Sequence, residues 1–161
     1  MHYDETQKLL DVIYKYLPAK SLSVQTENTD WRGRKYKSDF VRVLESDNIG
    51  FEVFENEIII FFFTDHVHFE DYSFDGEPEE VYTERAETFI KKLFTLPIER
   101  HYTKKGDKVI RDESFFLISE TERESCAGVC VSPSLKNIFR KAVHIQETKK
   151  FNSEKGCFIT I

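Results

Sequence analysis

Apolar residues recur at helical spacing near the start of the chain and at closer intervals after it. In DETQKLLDVIYKYL, residues 4–17, the side chains Leu9, Leu10, Ile13, Tyr14 and Leu17 fall on one side of a 3.6-residue period. Asp4 and Gln7 stand three apart like a capping box, and Pro18 ends the run, so the pattern predicts an amphipathic first helix. The β-favouring segments SLSVQT, DFVRVLE, FEVFE and EIIIFFFT follow, with Asp47-Asn48-Ile49-Gly50 and Glu55-Asn56 as breaks. Connections this short make neighbouring strands antiparallel. HVHFEDY comes next. A bend near Thr64-Asp65 is expected, because one strand from Glu57 to Tyr72 would exceed the usual length of about 3 to 10 residues.

The stretch SFDGEPEEVYTERAETFIKKLFTLP predicts a second helix, with Pro78 near its first turn, acids at its start and Lys91 and Lys92 near its end. Tyr82, Ala86, Phe89, Ile90 and Leu93 form its apolar stripe. IERHYT and KVIRDESFFLI flank Lys104-Lys105-Gly106-Asp107 as a hairpin. Beyond Ser119 the pattern weakens: Leu135, Ile138, Phe139, Ala142 and Val143 suggest a third helix, and GCFITI a terminal strand. The expected architecture is a single α+β domain over residues 1–161, an antiparallel sheet made of a meander plus a hairpin with about three helices packed on one face. No repeat, low-complexity linker or domain boundary is visible.

Composition changes this picture little. A chain of 161 residues with fifteen Phe and seven Tyr can bury a core without metal or disulfide staples. Its three cysteines, Cys126, Cys130 and Cys157, make no even-numbered framework, and no apolar run preceded by positive charge opens the chain. A cytoplasmic protein with reduced thiols is expected. The longest apolar run, IIIFFF at 58–63, falls far short of the roughly 20 residues of a membrane-spanning helix, so no membrane partner is expected.

Charge changes it more. The formal net charge is −6, which argues against general nucleic-acid binding. From Val43 to Glu84 there is no Lys or Arg, while thirteen acids fall in the interval, leaving the rest of the chain at +7. Such a run can be the solvated outer face of strands and helix N-termini. It can equally be a recognition surface that steers a basic partner. The acidic stretch from Asp65 to Glu80 is the candidate: Asp65, Glu70, Asp71, Asp75, Glu77, Glu79 and Glu80, with Tyr72 and Phe74 among them as aromatic anchors.

Catalytic chemistry finds less support. In a strand, His66, His68 and Glu70 project together while Val67 and Phe69 point inward, and two imidazoles on one face can chelate a transition metal. The same alternation describes an ordinary half-buried strand, no third ligand is announced by spacing, and no bound metal or other cofactor is expected. Cys126-x-x-x-Cys130 lacks the spacing and second pair of structural zinc. Pairing Cys126 with His101 or His144 as a dyad has no support in spacing. Nucleophile elbow, phosphate loop, dinucleotide fingerprint and H-E-x-x-H are all absent from the sequence. In WRGRKYK, residues 31–37, Trp31, Arg32, Arg34 and Lys35 could stack on and neutralise single-stranded nucleic acid, or cap a hairpin.

A small acidic α+β chain carrying the aromatic-rich segment FEVFENEIIIFFFTDHVHFEDY and no recognisable active site resembles the immunity proteins of bacterial polymorphic and contact-dependent growth inhibition toxin systems. The resemblance lies in general layout. It implies a protein that binds and neutralises a cognate toxin domain, frequently a nuclease, and whose acidic stretch stands in for phosphates against a basic cleft. The alternatives are a small metal-dependent hydrolase using His66 and His68, and a nucleic-acid-binding module using Trp31, Arg32, Arg34 and Lys35.

Overall fold

The fold is that of a computed structural model, which describes residues 1–31, 33–70, 82–130 and 135–161, with backbone only at positions 29, 31, 127, 129, 130 and 135. The chain divides into two compact units, Met1–Lys92 and Leu93–Ile161. The division falls inside a helix, so no linker marks it.

In the first unit, α1 (Asp4–Ile13) is followed by five strands, β1 (Ser23–Trp31), β2 (Arg34–Leu44), β3 (Ile49–Val53), β4 (Glu57–Phe62) and β5 (Asp65–Glu70). The sheet keeps chain order, β1-β2-β3-β4-β5, with every pair antiparallel. Alternation decides its faces. Val41, Val43, Phe51, Val53, Ile58, Ile60 and Phe62 are buried on the inner face. The second helix, α2 (Tyr82–Thr95), packs there: the Phe89 ring lies 5.4 Å from Phe62 and 5.6 Å from Phe69. Ala86, Phe89, Ile90 and Leu93 of the expected stripe are buried, and Tyr82 is half-buried. The bend expected at Thr64-Asp65 is a two-residue turn, since Phe62 pairs with Asp65. Phe63 takes φ 54° in it, with its N–H donating to Asp47 O and its carbonyl accepting from Asn48 Nδ2.

The second unit is a sheet of β6 (Ile98–Lys105), β7 (Lys108–Leu117), β8 (Arg123–Cys130), β9 (Ala142–Asn152) and β10 (Cys157–Thr160) in the order β10-β9-β6-β7-β8. β6 is central and pairs with β7 and β9. Phe94, Phe151 and Phe158 form an aromatic cluster, with centroids 4.8 Å apart for Phe94 and Phe151 and 5.5 Å for Phe151 and Phe158. Buried on β6, Arg100 donates to Asp112 Oδ2 at 2.6 Å and to Glu147 Oε1 at 2.9 Å.

Three expectations are corrected. The chain is α+β with antiparallel sheets, but there are two five-stranded sheets, because β6 recruits β9 and thereby builds a second sheet around itself. Among the described residues there are two α-helices, not three: the apolar set from Leu135 to Val143 forms a single 3-10 turn, Leu135–Asn137, and the start of β9. Of that set, Ile138, Phe139 and Val143 are exposed and form no buried stripe. Lastly, Asp4 and Gln7 make no capping box. Tyr3 is the N-cap without a side-chain bond, and Gln7 reaches Asp11 instead. The capping role passes to Asp39 of β2, which accepts from the backbone N–H groups of His2 and Tyr3 and from the Thr6 hydroxyl at 2.7 to 3.0 Å.

Candidate functional site

The outer face of the first sheet is built by strand register. Two rows of side chains cross it. Phe40, Glu52, Ile59 and His68 lie opposite one another on β2, β3, β4 and β5, and Arg42, Gly50, Phe61 and His66 form the next row. Glu57 and Glu70 close the β4–β5 end as a direct cross-strand pair. His66 and His68 are exposed, Phe69 is buried and Val67 half-buried, as alternation from the sequence requires.

Gly50 shapes this surface by lacking a side chain. A Cβ there would stand 2.5 Å from the Val41 carbonyl oxygen. With that position empty, Phe40 of β2 and Phe61 of β4 meet across the intervening strand, ring centroids 6.0 Å apart. Phe61 lies 6.2 Å from the ring of His66, which lies 5.0 Å from His68. A continuous ring stripe thus crosses a face on which Phe40, Ile59 and Phe61 remain half-buried. Arg42 sits 5.8 Å above the Phe40 ring and 3.8 Å from Glu45.

Carboxylates border the stripe. His68 Nδ1 and Glu57 Oε1 are 2.5 Å apart, and Glu57, His68 and Glu70 each offer a ligand atom within 4.8 Å of the others. Glu57 and Glu70 also line a cleft of about 520 Å³ with Tyr3, Lys35, Lys37 and Phe54. The Tyr3 phenol there is pushed above its ordinary value by burial first, then by the negative charges of Glu55, Asp39 and Glu5.

The residues singled out in the sequence fare differently. Glu70 is on the outer face, with its carbonyl accepting from Arg85 Nη2 at 2.9 Å. Asp65 is 6% exposed on the inner side of β5, its Oδ1 accepting from the His66 N–H, so it presents little surface to a partner. Asp71, Tyr72, Phe74, Asp75, Glu77, Glu79 and Glu80 lie outside the described residues. His66 and His68 share a face, but Glu57 and Glu70, not His66, complete the cluster of possible ligands around His68. For the basic loop, β1 ends at Trp31 and β2 starts at Arg34 with Gly33 at φ 77° between them, so the segment does close a hairpin, with Arg34 and Lys35 exposed. Arg32 and the Trp31 side chain lie outside the description.

Sequence reasoning missed Phe40, Glu52, Ile59 and Phe61. DFVRVLE already alternates, which places Phe40 and Arg42 on one face. In EIIIFFFT both faces are apolar, so only pairing with β3 and β5 identifies Ile59 and Phe61 as the outward ones. In the second unit, His101 Nε2 meets Glu99 Oε1 at 2.7 Å and His144 Nδ1 meets Thr103 Oγ1 at 2.9 Å, so each imidazole has a partner other than a thiol. No family model, curated protein or solved structure matches this chain.

Proposed function

We propose that this chain is an immunity protein that binds a basic toxin domain, of the nuclease kind, through the outer face of its first sheet. One observation carries the reading: the stripe Phe40, Phe61, His66 and His68 is open on a sheet face bordered by Glu52, Glu57 and Glu70. Between Val43 and Glu84 the sequence supplies no cation, so among the described residues the acids of the face are offset only by Lys35, Lys37, Arg42 and Arg85 from outside that interval. Aromatic side chains at the centre of such a patch act as anchors that govern dissociation, while acids at its rim govern encounter. The acidic rim would occupy the place of nucleic-acid phosphates in the partner's cleft.

The test is to co-express the chain with the toxin domain encoded beside it, score rescue of growth, and measure the kinetics of the purified pair. Glu57→Lys with Glu70→Lys should slow association, and added salt should slow it for the wild type, since screening acts within about 8 Å at physiological ionic strength. Phe61→Ala should instead raise the dissociation rate, about tenfold for each 1.4 kcal/mol lost. Unchanged protection and association by the charge-reversed variant would place the contact elsewhere and reduce the acids to a solvated face.

A further inference from the structure

One end of the second sheet is built around an exposed phenylalanine. Gly106, in the turn between β6 and β7, has φ 65°, and a Cβ on it would stand 2.8 Å from Asn137 Oδ1. Asn137 is buried and donates through Nδ2 to Asp107 Oδ1 at 3.2 Å. That bond is the largest of the influences holding the Asp107 carboxyl below its ordinary range. Lys105 Nζ donates to the Ile138 carbonyl at 3.2 Å, and the Arg140 N–H to Asn137 O at 3.1 Å. The segment from Lys136 to Lys141 is therefore fastened to the turn by its polar atoms. The result is that Phe139 projects, 96% exposed, with Ile138 and Val143 exposed beside it.

Around this apolar tip cations outnumber the one acid of the turn, Asp107. Lys136, Arg140 and Lys141 flank it in the chain. Register brings Lys104 opposite Val143, and Lys105 opposite both Ala142 and Lys108. Across the unit Leu93–Ile161 the formal charge is +3, against −9 for Met1–Lys92.

We propose that this lysine-collared, phenylalanine-tipped end of the second sheet docks on an anionic phospholipid surface. Phe139 would enter the interfacial layer with Ile138 and Val143, while the cations face lipid phosphates and carboxylates. Three observations favour a lipid surface over other anionic partners. The tip projects instead of forming a groove, and two of its three apolar side chains are aliphatic, which can insert between lipids but cannot stack on bases. Five of the six cations are lysines, which protein interfaces disfavour and which serve a fluid anionic surface through charge alone. The unit that carries the patch is itself net positive, and at physiological ionic strength charges more than about 8 Å away are largely screened. This docking is independent of the immunity reading, which uses the other unit.

Co-sedimentation of the full chain with vesicles tests it. Vesicles of phosphatidylcholine mixed with phosphatidylserine should carry the protein down, and vesicles of phosphatidylcholine alone should not. Phe139→Ser, and separately Lys136→Glu with Lys141→Glu, should each lower the partition by about tenfold or more. All three positions are exposed, and circular dichroism matching the wild type confirms that the variants fold. Equal partition of Phe139→Ser and wild type, or equal binding to both vesicle types, would overturn the proposal. Binding to a single-stranded oligonucleotide with no binding to vesicles would overturn it in favour of a nucleic-acid partner.

Discussion

A single carboxylate ties the start of the chain to the first sheet. Asp39 is 0% exposed and accepts hydrogen bonds from two backbone N–H groups and one hydroxyl at the head of α1. Hydrogen bonds to a charged group contribute about 1.5 to 3 kcal/mol each, so Asp39→Ala should lower stability by at least that amount. Urea denaturation reads the effect, and an unchanged midpoint would mean that α1 holds its place by apolar packing alone. At the same scale, His68 has Glu57 within hydrogen-bonding distance. His68 Nδ1 and Glu57 Oε1 stand 2.5 Å apart, paired with each other, whereas tetrahedral zinc with bonds of about 2.0 to 2.2 Å holds its ligands roughly 3.3 to 3.6 Å apart. Protein purified without chelator should accordingly carry no stoichiometric zinc, manganese or iron. Near-stoichiometric metal that disappears in His68→Ala would instead favour the metal-dependent hydrolase. Neither Asp39 nor Glu57 could be found by spacing in the sequence, since each acts on residues brought to it by strand pairing or by a helix packed against the sheet.

Among the elements, α2 was the most legible and the stretch after Ser119 the least. The stripe Ala86, Phe89, Ile90 and Leu93 recurs at the helical period and is buried as that period demands. Phe89 meets Phe62 at a tilt and Phe69 edge-on, so Phe89→Ala should cost about 3 to 5 kcal/mol, seen as a lower urea midpoint. A midpoint equal to wild type would show that the ring's burial contributes little. The segment from Leu135 to Val143 misled for a physical reason. Helical spacing predicts a helix when the stripe has something to bury against, and here polar bonds to the β6–β7 turn hold the backbone while Ile138, Phe139 and Val143 stay in solvent. β8, RESCAGVC, was invisible because it is polar in its first half and has small residues in its second. Its pairing with β7 is set by the backbone ladder.

At the scale of the whole molecule, the charge asymmetry read along the chain survives as a difference between its two units. The two sheets differ in connectivity: the first was readable throughout, the second only in its β6–β7 hairpin and its terminal strand. Each of its strands pairs with the next one in sequence, so every pairing rests on a local turn. In the second, the central strand β6 needs β9, whose first paired residue lies beyond two intervening strands. That contrast sets an order of events in time. Local pairings close small loops and form early, whereas a distant partner must first be searched for. During synthesis the first sheet can zip up strand by strand as it leaves the ribosome, while β6 waits with one edge unsatisfied until β9 has been made. Pulse-labelled hydrogen exchange during refolding should therefore protect amides of β2 to β4 before those that link β6 to β9. Simultaneous protection would mean that the two sheets assemble in one step. A ribosome stalled after β7 has been made but before β9 would hold a nascent chain that already contains the ring stripe but still carries an open, aggregation-prone edge on β6.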